Sequence, residues 1–215
     1  MSVKSYSQHG QDVYLIENIY KNKRNGYFIE LGASDGKHIS NTYLLEQRYD
    51  WKGICIEPNA KFYKKLVKNR KPSTVCVNSL VYKDTCSKTF ISADYLSGIA
   101  DTITRGYLRK KDVRAKFSWA KDETELLNTV TLTTILEKYN APKFIEYLSL
   151  DTEGSEYDIL QGLDFNKYII GYICVEHNNN TEQRDNIRKL LVNNGYVFHR
   201  ENIIDDEYKH SSLEL

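Results

Sequence analysis

No apolar run in the sequence approaches the ~20 residues that a membrane-spanning helix needs. Charge of one sign is lacking too: 30 Lys and Arg stand against 29 Asp and Glu, a formal net charge of +1. No field of the whole chain therefore calls for nucleic acid or a membrane surface as partner. The four cysteines, Cys55, Cys76, Cys86 and Cys174, include no C-x-x-C pair, so the common zinc signatures are missing. Three of them sit in apolar strand-like runs, where a reduced thiol behaves as a small hydrophobe. Residues 1–11 are polar and lack the apolar region of a signal peptide. These absences lead us to expect a cytoplasmic protein without structural disulfides. The Gly-x-Gly-x-x-Gly fingerprint of dinucleotide folds is also absent, and with it the glycines that receive a pyrophosphate at a helix N-terminus.

What is present is a recurring strand-then-helix pattern. Residues 27–31 are apolar except for Glu30 and run into a loop holding Gly32 and Gly36. Too short for a helix, the run reads as a buried strand. Its glycines let the chain turn tightly and let a ligand lie against the backbone. A helix is expected over 40–49, and another precedes the strand within 6–22. The next strand, 53–56, ends on Glu57-Pro58-Asn59. Pro58 stops it, and Asn59 can cap a helix over 60–68. A carboxylate at that strand end can accept hydrogen bonds from both hydroxyls of a ribose; alternatively it is a solvated strand-end Glu. A third strand is expected over 75–81 and a short edge strand over 88–92.

The second half repeats the pattern. A helix over 130–139 ends at Ala141-Pro142. A strand over 144–150 then runs into Asp151-Thr152-Glu153-Gly154-Ser155-Glu156. Three carboxylates within six positions raise one another's pKa unless a cation or a proton is shared. Glu156 is explained by the helix N-terminus that follows; Asp151 and Glu153 are not. A strand over 168–176 ends on Glu176-His177, a helix follows over 182–193, and a strand over 196–200 comes next. Residues 202–208 read as a last strand or a tail. Between 94 and 128 the pattern fades and a basic patch appears: Arg105, Arg109, Lys110, Lys111, Arg114 and Lys116. That patch is either a solvated face or a lid over an acceptor.

Such alternation argues a mainly parallel sheet with helices on both faces. Right-handed crossovers then bring every strand's C-terminal end to one rim. Gly32, Ser34, Asp35, Glu57, Asn78, Asp151, Glu153, Glu176 and His177 all fall on it. At this point the sequence resembles a known family. Ser7-Gln8-x-Gly10-Gln11-Asp12, Phe28-Ile29-Glu30-Leu31-Gly32-Ala33-x-Asp35-Gly36, Ile56-Glu57-Pro58-Asn59 and Leu150-Asp151-x-Glu153-Gly154-x-Glu156 are similar to the motifs of FkbM methyltransferases.

The resemblance implies a class I, Rossmann-like methyltransferase fold and methyl transfer from S-adenosyl-L-methionine (SAM) to a hydroxyl of a sugar or glycan. It places Glu30, Gly32, Ala33, Ser34 and Gly36 along the methionine part of SAM and Glu57, assisted by Asn59, on the ribose. Asn78 and Leu80 border the adenine, and Gln8 and Gln11 close over the cofactor. A sugar hydroxyl is a weak nucleophile, so a base or a metal is expected. Asp151, Glu153 and His177 are the catalytic candidates. A second arrangement has Asp151, Glu176 and His177 hold Mg²⁺ or Mn²⁺, as acids at these strand ends do in related sugar O-methyltransferases. Residues 1–210 form one domain in this reading, with 95–128 as an acceptor lid and 211–215 as a tail. The rivals are an RNA ribose 2′-O-methyltransferase and a non-catalytic SAM-binding module. An amino-methylating enzyme would show an Asp/Asn-Pro-Pro-Tyr turn where this chain has Asp151-Thr152-Glu153-Gly154. Acceptor identity and oligomeric state are not expressed in the sequence.

Overall fold

The computed structural model describes residues 3–106 and 124–213. The chain begins with α1 (Gln11–Tyr14), which continues as a π-helical turn, Leu15–Ile19. β1 (Tyr27–Leu31), α2 (Tyr43–Tyr49), β2 (Lys52–Ile56), α3 (Ala60–Asn69) and β3 (Val75–Val77) follow. An inserted unit holds β4 (Leu80–Val81), β5 (Ser87–Ile91), β6 (Gly98–Ile99), α4 (Ala100–Gly106) and β7 (Thr124–Val130). Then come α5 (Leu132–Lys138), β8 (Phe144–Leu150), α6 (Glu156–Gln161), β9 (Ile169–Glu176), α7 (Thr181–Asn193), β10 (Tyr196–Asn202) and β11 (Asp205–His210).

Seven strands form one sheet in the order β3-β2-β1-β8-β9-β11-β10. The pairs among β3, β2, β1, β8 and β9 are all parallel, whereas β11 runs antiparallel to both β9 and β10. From β1 the chain winds outward to β3, then returns to β8 on β1's other side. The crevice at the C-terminal ends of β1 and β8 is therefore the topological switch point, where open α/β sheets bind ligands.

The central strands are buried on both faces, which is why they read as continuous apolar runs. Alternation divides β1 between two cores. Ile29 and Leu31 pack with Ile54, Leu148 and Leu136 on one face, while Phe28 packs with Leu45, Trp51 and Tyr147 on the other. Asn59 caps α3, its side chain accepting from the Lys61 N–H at 2.9 Å, as its position after Pro58 suggested.

Two expectations change, one choice between alternatives is resolved, and one reading falls largely outside the described residues. The stretch 75–81 is not one strand: β3 ends at Val77, and Leu80–Val81 pairs with β7 in a separate four-stranded sheet. The two-residue break at Asn78-Ser79 makes that transfer. Residues 202–208 are not a tail, because β11 slots between β9 and β10. The first helix is one α turn and a π turn, with Gly10 left-handed at its start. In the stretch 95–128 read as a lid, the described flanks are β6, α4 and part of β7. The basic residues Arg109, Lys110, Lys111, Arg114 and Lys116 lie outside the described residues, as do 214–215 of the tail.

All four cysteines are free thiols. Among the described residues, no helix is long and apolar enough to cross a membrane.

Candidate active site

Glu57 follows the last residue of β2 and is 5 % exposed. Its Oε2 accepts from the Ser34 N–H at 2.8 Å and its Oε1 from the Asn59 N–H at 2.7 Å. Burial pushes its carboxyl up to about 7, against the pull of those two backbone donors. Glu57 lines a cavity that is open on one side to solvent. Its neighbours there are Gly32, Ser34, Ile56 and Pro58 from the first sheet's rim, Ser79 from the link after β3, and Leu80, Val81, Phe90, Tyr95, Ser97 and Ile99 from the inserted unit. A mainly apolar slot with a carboxylate at one side has the chemistry of an adenosine site.

The other residues assigned to the cofactor divide. Ser34, Gly32 and Leu80 line this cavity. Asn59 is buried and occupied as the cap of α3, and its amide donates to Ser97 Oγ at 3.3 Å. Asn78 is exposed; its amide donates to the Glu57 and Pro58 carbonyls, both at 2.8 Å, fastening the end of β2. Ser79, Leu80 and Val81 line the cavity at this point instead.

Glu30 serves the scaffold. It is buried, and it accepts from Ser40 Oγ at 2.9 Å, the Asn41 N–H at 2.8 Å, Thr42 Oγ1 at 2.8 Å and Arg70 Nη2 at 2.5 Å. That ion pair ties the C-terminal end of α3 to β1. The glycines likewise answer to protein contacts. A Cβ on Gly32 (φ +73°) would stand 1.7 Å from the Asp151 carbonyl oxygen, and one on Gly36 (φ +77°) 2.5 Å from Leu66 Cδ1. Gly32 thus lets the ends of β1 and β8 meet, and Ala33 is buried beneath them.

At the end of β8 the carboxylates converge. Asp151, Glu153 and Glu176 each offer an oxygen, and these oxygens lie within 4.8 Å of one another. Burial raises the Asp151 carboxyl to about 7; a hydrogen bond with Glu176 opposes the rise, and the charges of Glu156 and Asp205 add to it. Burial, then the charge of Asp151, holds Glu176 well above the usual carboxylate range. Glu156 is different: its Oε1 accepts from the Thr152 and Gly154 N–H groups, and its Oε2 from Gln183 Nε2 at 2.6 Å. It shapes the loop rather than facing a ligand.

His177 does not join this group, which corrects the expectation that it acts as catalyst or metal ligand. Its Nδ1 accepts from the Asn179 N–H at 3.1 Å, and its Nε2 stands 3.7 Å from Asp206 Oδ1, on the side of Arg184. Alternation at the end of β9 sends Glu176 to the rim and the next residue to the opposite face. The triad that the structure assembles is Asp151, Glu153 and Glu176.

A second, polar cavity continues past Asp151, lined by Gln8, Gln11, Ile39, Asn41, Ser149, Glu176 and Asp205 among others. Gln11 donates to Asp205 Oδ2 at 2.6 Å, so the N-terminal segment is latched to β11. Sequence reasoning missed Asn41, Asp205, Tyr95, Ser97 and Ile39. Asp205 has no local signature, because only the antiparallel insertion of β11 brings it to the rim. Ile39 is a β-branched residue at φ +51°, 46 % exposed, and it borders both cavities. That conformation is costly for such a side chain, and strain of this kind gathers at ligand sites.

No curated protein sequence matches the chain. Among solved structures, a proposed rRNA methylase from Clostridium thermocellum is similar with a TM-score of 0.47 at 8% identity, over 97% of each chain. A precorrin-6y C5,15-methyltransferase from Geobacter metallireducens GS-15 gives 0.46 at 9%, over 97% of this chain and 90% of the other. M. capricolum TrmK, solved with S-adenosyl-homocysteine, gives 0.44 at 12%, over 93% and 69%. The methyltransferase FkbM domain matches residues 30–198. That span holds the end of β1, Glu57, the inserted unit, the Asp151 loop and Glu176, and by it the chain belongs to the FkbM methyltransferase domain family.

Proposed function

We propose that the protein is an O-methyltransferase that moves the methyl group of SAM to a hydroxyl of a sugar or glycan. Methyl transfer itself follows from the family. The choice of oxygen rests on one observation: Asp151, Glu153 and Glu176 crowd at the switch point beside the adenosine cavity. An alcohol must lose its proton as it attacks the methyl carbon, and such a group provides for that.

The cavity beside Glu57 would take the adenosyl part of SAM, with Glu57 placed to accept hydrogen bonds from the ribose hydroxyls. Gly32 after β1 and Asp151 after β8 line the same cavity and would flank the reacting end of the cofactor. Asp151 takes the acceptor proton, and Glu176 is positioned to share it, since their raised pKa values favour one proton between them. Holding acceptor and methyl in line supplies much of the acceleration.

The donor set also fits a hard divalent cation, because all three groups offer oxygen. Asp151, Glu153 and Glu176 would hold Mg²⁺ or Mn²⁺, which would acidify the acceptor hydroxyl. A screen of mono- and oligosaccharide acceptors, scored by S-adenosylhomocysteine release with and without EDTA, tests the proposal. Release with a hydroxyl acceptor is expected. Release only with amine or nucleic-acid acceptors would overturn the reading, and the EDTA arm decides the cation.

A further inference from the structure

The two cavities that meet at Asp151 differ in chemistry. The first is mainly apolar apart from Glu57, whereas the second is walled by Gln11, Asn41, Ser149, Asp151, Glu176 and Asp205. They share Asp151 and Ile39, so a molecule anchored at Glu57 and extending past Gly32 ends in the polar cavity. SAM is such a molecule, with a nucleoside at one end and a zwitterionic amino acid at the other.

Two acceptor oxygens on the polar wall have no donor. The Asn41 amide donates to Ser149 Oγ at 2.8 Å, which leaves its Oδ1 buried without a hydrogen-bond partner. Asp205 is 6 % exposed; its Oδ2 accepts from Gln11 Nε2 at 2.6 Å and from the Cys174 thiol at 3.6 Å. Its Oδ1 receives no hydrogen bond from the described residues. A buried acceptor left unpartnered, as Asn41 Oδ1 is, costs free energy, and the Asp205 carboxylate adds negative charge to the same wall. A cation with several N–H donors satisfies both, and neither Lys nor Arg lines this cavity among the described residues.

Building on the SAM assignment, we propose that Asp205 and Asn41 bind the α-ammonium group of SAM, at the far end of the rim from Glu57. Gln11 is a positioning residue: by holding Oδ2 it turns Oδ1 of the same carboxylate toward the ligand. The antiparallel strand β11 thereby completes the cofactor site.

Calorimetric titration with S-adenosylhomocysteine and with its deamino analogue, which lacks only the ammonium, tests this. The wild type should bind S-adenosylhomocysteine about tenfold to a hundredfold more tightly, as expected for a charge-assisted hydrogen-bond pair. Asp205→Asn and Asn41→Ala should each bring that ratio toward one, with affinity for the deamino analogue little changed. A wild-type ratio near one, or a ratio unchanged in Asn41→Ala, overturns the proposal. Wild-type protein that binds neither compound overturns the underlying SAM reading instead. Should Asp205→Asn fail to fold by circular dichroism, Asn41→Ala decides alone, since its side chain is only partly buried.

Discussion

At the scale of single residues, two carboxylates divide the work. Glu57 is fixed by two backbone N–H donors and still borders the cavity we propose for adenosine. Glu57→Ala should weaken SAM binding by about tenfold to a hundredfold, the worth of hydrogen bonds to a charged group. Unchanged affinity by calorimetry would remove the ribose assignment. Asp151 is the base in the mechanism we propose. Asp151→Asn should lower turnover by about a hundredfold or more while SAM affinity stays within a few-fold. Near-normal turnover in that variant would sink the role of Asp151 as base or cation ligand. In the wild type, turnover should rise with pH through about 7, because the base acts only when ionised and burial raises its carboxyl to that value. A pH–rate profile flat between 5 and 9 would count against it.

At the scale of elements, the rim is built by close approach rather than by ligand contact alone. Gly32 lets β1 and β8 end against each other, and any side chain there meets the Asp151 carbonyl. Gly32→Ala should therefore destabilise the fold by roughly 2–5 kcal/mol, combining left-handed strain with overpacking. A thermal melt within a degree of wild type would show that the loop can relax without cost. Gly154 plays a similar part against α4: its Cβ would stand 3.0 Å from the Thr102 carbonyl oxygen, at φ +111°. The loop carrying Asp151 and Glu153 is thus braced by the inserted unit, which also supplies Tyr95 and Ser97 to the adenosine cavity.

At the scale of the whole molecule, the site is a concentration of buried acid in a chain of net charge +1. That has a consequence for stability. The Glu57 carboxyl sits at about 7 in the folded state against 4.5 ordinarily. Between those values the folded protein binds the extra proton, so this contribution to stability falls as pH rises through the window. Several groups titrate the other way, including Asp35 and His177, so only a difference isolates the effect. The melting temperature of Glu57→Gln, relative to wild type, should rise between pH 5 and pH 8. A difference that stays constant or falls would overturn the assignment of a buried, reluctantly ionised Glu57.

The sequence by itself determined the alternation of strands and helices, the parallel sheet and the placing of Glu57, Asp151, Glu153 and Glu176 on one rim. Each was legible because the cause is local: a buried strand, a turn residue and a carboxylate lie within a few positions of one another. Only tertiary structure decided which way side chains face and what meets them. Parity at the end of β9 turned His177 from the rim toward Asp206. Packing of α3 claimed Glu30 for Arg70, and the backbone of β8, rather than a ligand, accounted for Gly32. β11 entered between β9 and β10 and carried Asp205 to a place that no neighbouring residue announces. Periodicity along one chain reports burial, but the identity of the partner across the sheet depends on residues more than a hundred positions away, as between Gln11 and Asp205.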